Sequence, residues 1–142
     1  MIQYVIPGIA RSKKNSSKII KINGHFRIIS SEAYRRYEAA AAPYFQNKPE
    51  KPIEEPVQVT CIYLMPLNKD GSKPRRPLDL VNLLEATCDI LVKYKIIADD
   101  NAHIVKSVDG SRVYYVAEEP KTYITIMEMN NEEDKSSYAE GG

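Results

Sequence analysis

The sequence predicts one α+β domain with helices against a mixed, largely antiparallel sheet, and three observations carry that prediction. "VQVTCIYLMP" and "KTYITIMEM" alternate apolar and polar residues with the period of two that a half-buried strand requires. Two β-branched runs in "KIIKINGHFRII" flank Asn23-Gly24, the dipeptide that best tolerates the positive φ angles of a tight hairpin turn. Two further segments, "EAYRRYEAAAAPYFQ" and "DLVNLLEATCDILVK", repeat apolar residues at helical spacing. The chain has 142 residues, 43% of them hydrophobic and 27% charged, which suits a single ordinary core and argues against disorder or a membrane span.

Taken in order, "MIQYVIPGI" is a strand-like run closed by Pro7 and Gly8, and the basic "ARSKKNSSK" after it is a loop. The hairpin follows. Ser30 and Ser31 are both candidate N-caps for the first helix, which Pro43 kinks or ends. "NKPEKPIEEP" is a proline-rich, charged connector to the alternating strand that Pro66 closes. "LNKDGSKPRRP" is a loop carrying Lys69, Lys73, Arg75 and Arg76, and Asp79 is placed to cap the second helix. A lysine-rich last turn, a short apolar run, the Asp99-Asp100 pair and another strand lead to the final strand. The expected order is strand, hairpin, helix, strand, helix, strand, strand. Residues 1–129 are read as the domain and 130–142 as a disordered acidic tail.

The net charge of +1 conceals a split between the lysines near the start, Lys13, Lys14, Lys18 and Lys21, and the acidic end. Cys61 and Cys88 lack the close pairing of a zinc site or disulfide framework and are read as reduced core residues. His25 and His103 have no second histidine near enough for a zinc motif. The ten tyrosines are read as core or sheet packing. The opening residues hold no apolar stretch long enough for a signal peptide, and no run approaches the ~18 apolar residues of a membrane helix, so a cytoplasmic protein is expected.

The second helix poses the functional question. At about 100° per residue, Asn82, Glu85 and Asp89 fall in a sector roughly 60° wide, opposite Leu80, Leu83, Leu84, Cys88 and Leu91. A narrow stripe of acceptors in an apolar helix asks for a cation or a partner. Asp79 at its start and Asp99 and Asp100 beyond it allow carboxylates from two elements to converge on a hard divalent ion, which needs oxygen ligands. The basic loop ahead of Asp79 suits the phosphates of a nucleic acid.

"RRPLDLVNLLEATCDILVKYKIIADDNAHI" resembles the core signature of the RusA family of Holliday junction resolvases, commonly R-x-D-L-D-N-L-x-K, an Asp within the helix, then a hydrophobic run ending in D-D. Asp79, Leu80, Asn82, Leu83, Asp89, Asp99 and Asp100 fall on family positions without a gap, and "SKKN", "SSEAYRRYEAA" and "ITIMEM" agree with its flanks. The resemblance covers most of residues 1–129. It implies a RusA-like fold and a homodimeric, Mg²⁺-dependent endodeoxyribonuclease, with Mn²⁺ able to replace Mg²⁺, that cuts four-way DNA junctions by paired nicks.

Two positions depart from the pattern: Val81 stands where the family has its second aspartate, and Glu85 where it has a lysine. Direct carry-over of metal ligands reaches Asp79 and Asp100, and Glu85 is the natural replacement for the missing carboxylate, one turn deeper on the same helix. Asp89 and Asp99 are further ligand candidates. Lys13, Lys14, Asn15, Lys73, Arg75, Arg76 and Arg112 are the candidate DNA contacts. Without the resemblance, the acids also read as a solvated face bridged to Lys93, Lys95 and the basic loop, Asp79 as a cap only, and "DGSR" as a turn. Three rivals follow: a junction-binding protein with a dismantled site, a nuclease for other branched DNA, and a protein adaptor using the acidic stripe.

Overall fold

The strand Val57–Pro66 alternates strictly between fully and partly buried residues, and the fold is built around it. The computed structural model describes residues 1–13, 18–29, 31–76 and 78–130. Along the chain these form β1 (Ile2–Pro7), β2 (Lys18–Ile22), β3 (His25–Ile29), α1 (Glu32–Ala41) with a 3-10 turn at Ala42–Tyr44, β4 (Val57–Pro66), α2 (Leu80–Lys93), β5 (Val105–Ser107), β6 (Arg112–Val116) and β7 (Lys121–Glu128). This is the α+β order read from the sequence, with β5 as an added short strand.

In the main sheet β1 pairs antiparallel with β7, and β7 antiparallel with β4. On the far edge, β5 and β6 pair parallel with successive parts of β4, at Val57–Gln58 and at Ile62–Pro66, so they form one edge strand broken in two. Gly110 makes the break. Its φ is +84°, and an added Cβ would lie 3.3 Å from the Thr60 methyl. The open ladder there is closed by side chains: Thr60 Oγ1 donates to the Asp109 carbonyl at 2.7 Å, and the Cys61 N–H donates to Ser111 Oγ at 3.0 Å.

Register places the core on one face. Tyr4, Ile124 and Cys61 form one row across β1, β7 and β4, and Ile6, Thr122, Tyr63 and Val113 form the next. Tyr34 and Ala41 of α1, and Leu83, Leu84, Ala86, Ile90 and Leu91 of α2, join the same buried cluster. Val5, Tyr114, Tyr123 and Met127 alternate onto the opposite, exposed face. Both cysteines are free and buried, and burial pushes each thiol up to about 12, as inert core residues require.

The hairpin turns at Asn23 (φ 51°) and Gly24 (φ 81°), matching the predicted type I′ geometry. Ser31 caps α1, its side chain accepting the Tyr34 N–H at 3.2 Å. The alternative cap, Ser30, and residues 131–142 of the expected tail lie outside the described residues. Pro43 falls in the 3-10 turn, so α1 ends where its missing N–H would break the ladder. No helix among the described residues is long and apolar enough to cross a membrane.

Candidate active site

Asp79 sits outside the first helical turn with extended backbone (φ −85°, ψ 115°), and its Oδ1 accepts the Val81 N–H at 2.9 Å. The cap consumes one oxygen. Oδ2 meets no protein donor among the described residues, so the carboxylate can serve a second partner at the positive end of the helix. Val81 is 68% exposed on that opening turn.

Deeper along α2, Glu85 is exposed and Asp89 half-buried. Asp89 Oδ2 pairs with Lys13 Nζ at 3.1 Å, and the same ammonium lies 5.4 Å from the Tyr34 ring centre. The basic loop after β1 is thereby held against α2. Lys93, expected to face the helical acids on the solvated-face reading, instead bridges to Glu38 Oε1 at 2.6 Å and ties α2 to α1. Glu38 is also the reason, after burial, that the Tyr34 hydroxyl is held far above its ordinary range.

The acidic pair beyond α2 divides its work. The loop is anchored by the connector: the Ile53 N–H donates to the Ile96 carbonyl at 3.0 Å and the Ala98 N–H to Ile53 at 2.9 Å. Asp99 Oδ1 then accepts the Asp100 N–H at 2.8 Å and Oδ2 accepts Asn101 Nδ2 at 3.1 Å. These bonds lower the Asp99 carboxyl below its usual range. Asp100 is shifted the other way, by burial first, then by its contact with Asp99 and the charge of Asp89. Both Asp89 and Asp100 also push up the Cys88 thiol, so Asp100 lies within electrostatic reach of the third turn of α2. Carboxylates eleven positions apart in the chain thus share one neighbourhood.

The residues suit a hard divalent ion in kind. Crowding that raises Asp100 is what a cation relieves, and Asp79 has an oxygen to spare. Among the described residues no three His, Cys, Asp or Glu side chains stand together as a closed cage. Mg²⁺ is usually held by one or two carboxylates with water and substrate phosphate completing its shell, and the donor set fits that open arrangement.

The basic loop is organised before it reaches the helix. Asp70 Oδ1 accepts the Ser72 N–H at 2.9 Å, Asn68 Nδ2 donates to Ser72 Oγ at 3.1 Å, and Gly71 supplies φ +85°. Lys73, Arg75 and Arg76 emerge exposed, and the Leu78 N–H donates to the Tyr115 hydroxyl at 3.3 Å. Lys14 and Asn15 lie outside the described residues. Arg112 does not join the cluster. Val113 and Tyr115 take the buried side of β6, so Arg112 projects from the exposed face, away from α2. Arg11, which the sequence reading passed over although it opens the basic run, stands with Arg76 on one cavity.

Fold and site together define a class: one α+β domain presenting oxygen donors beside a cationic loop, an arrangement suited to chemistry on a polyanionic phosphodiester. Residues 7–127 match the family described as Endodeoxyribonuclease RusA, and the chain belongs to that family. It is a nuclease on that ground, and Holliday junction resolution is the activity the family implies. A comparison with curated proteins gives no match.

Proposed function

We propose that this protein resolves four-way DNA junctions by paired, symmetric cuts, acting as a homodimer whose two sites address the two equivalent strands. Asp79, Glu85 and Asp100 would hold a divalent ion, Mg²⁺ or Mn²⁺, with Asp89 and Asp99 beside them. Such an ion supplies Lewis-acid polarisation of the phosphodiester and neutralises charge as the bond breaks. Asp79 presents Oδ2 from a helix start whose dipole favours negative charge. Asp99 spends its own oxygens on the turn and so aims Asp100 toward α2. Lys13, Lys14, Asn15, Lys73, Arg75 and Arg76 position the backbone, and Arg112, on the other face, meets DNA only where the duplex wraps beyond the sheet edge.

The observation that carries this reading is the raised Asp100 carboxyl, set by burial and by acids from a second element in a RusA-family chain. The test is a labelled synthetic junction with Mg²⁺. Wild type is expected to give symmetric incisions, and Asp100→Asn to lose at least about a hundredfold in rate, the scale of removing a preorganised charged group, while still binding the junction. A second reading, an inactive junction-binding protein, is favoured by the exposed Val81 in place of a family aspartate. It requires structure-specific binding with no incision under any divalent ion.

A further inference from the structure

The end of β4, the inner side of β6, the segment after β1 and the loop before α2 enclose a cavity of about 230 Å³, walled by Pro66, Pro74, Leu78 and Tyr115 and rimmed by Arg11 and Arg76. Tyr115 pairs with Met65 on the buried side of the sheet, and its hydroxyl accepts the Leu78 N–H, so ring and loop fix each other. Both arginines are exposed, and neither has an ion-pair partner among the described residues. The volume lies below the roughly 300 Å³ at which sites for drug-sized ligands begin, so it suits one planar ring system better than a whole cofactor. Two guanidinium groups at an apolar slot call for a ligand with a flat apolar face and anionic ends. The next residue after Leu78 is Asp79, whose spare oxygen marks the proposed site of cleavage.

Resting on the nuclease reading above, we propose that this cavity receives one unstacked nucleotide of the strand being cut, its base against Tyr115, Leu78 and the prolines and its flanking phosphates on Arg11 and Arg76. A base inside a continuous duplex is stacked on both sides and cannot enter. At a branch point stacking is already interrupted, so the cost of extrusion is smallest there. Phosphate contacts then fix register while the slot discriminates the base, which makes the cavity the determinant of where a junction is cut.

The experiment uses the full chain and junctions carrying 2-aminopurine at single positions around the branch, with Ca²⁺ replacing Mg²⁺ for binding and Mg²⁺ for mapping cuts. Wild type is expected to brighten the probe at one position beside the incision. Leu78→Phe fills the slot without changing charge and should abolish that signal and flatten the cut-site preference at least fivefold. Pro74→Phe, on the facing wall, gives the same test should Leu78→Phe fail to fold. Arg11→Gln should lower the slope of log affinity against log salt by about 1, the loss of one phosphate contact. If wild type cuts junctions but no position brightens, or the filled variants keep signal and preference, this inference alone is overturned. If wild type shows no salt-sensitive binding to branched DNA, the nuclease reading falls and takes this one with it.

Discussion

Asp99 and Asp100 are chemically identical neighbours that folding drives in opposite directions, and each shift has a stability consequence. Folding raises the proton affinity of Asp100, so its ionisation opposes the folded state above the folded pKa. Asp100→Asn should therefore raise the midpoint of thermal unfolding at pH 7, and the gain should vanish as pH falls below the ordinary aspartate value of about 3.9. Asp99 has the reverse sign. Its contribution is present above that value and lost as pH falls through its lowered folded pKa, so Asp99→Asn should cost stability at pH 7 and little in strong acid. Melting curves of both variants across pH check the pair, and matching pH profiles would remove the distinction between them. Val81 is a second residue-scale test. Because it is exposed in the first turn, Val81→Asp restores the family acid without disturbing the core. The dipole should make it neutral or stabilising by about 0.3–1 kcal/mol, and calorimetry should find tighter divalent binding.

At the scale of elements, α2 is held to β4 by a buried hydroxyl pair. Thr87 Oγ1 donates to the Leu83 carbonyl at 2.9 Å, so the Tyr63 hydroxyl must be the donor in its bond to the same Thr87 oxygen. Thr87→Val keeps the shape and leaves the Tyr63 donor without that acceptor in a site sealed from water. A loss of about 1–3 kcal/mol in denaturant unfolding is expected; a loss near zero would mean water or a rotated hydroxyl satisfies Tyr63. The surface pair of Lys13 and Asp89 is a contrast, since both side chains are substantially exposed and the bridge contributes at most about 1 kcal/mol. Its consequence is placement: it draws the start of the basic loop onto the helix that bears the acids. Alternation and capping made α2 and β4 legible in the sequence. The break between β5 and β6 was less so, because Gly110 and Asp109 announce a turn but not that both flanking pieces would pair with one strand.

For the whole molecule, the charge layout makes a further prediction. The basic loop residues Lys73 and Arg75 are exposed and free to meet phosphates, so Lys73→Gln combined with Arg75→Gln should reduce the salt slope of junction binding by about 2 and weaken binding uniformly across sequences. Anisotropy titrations at several salt concentrations measure this, and an unchanged slope would place the DNA elsewhere. Sedimentation of the free protein tests the homodimer independently, with a single monomeric species at micromolar concentration counting against paired cutting.

By itself the sequence determined the element order, the hairpin, both helix caps and the acid-bearing face of α2, because each depends on residues within a few positions of one another. The tertiary structure decided what no local pattern encodes: that Asp99 builds the turn while Asp100 is charged against Asp89, that Arg112 lies on the wrong side of the sheet, and that Arg11 and Arg76 share a cavity. Those outcomes follow from strand pairing and loop anchoring over dozens of residues, where direction in space is set by packing and not by spacing along the chain.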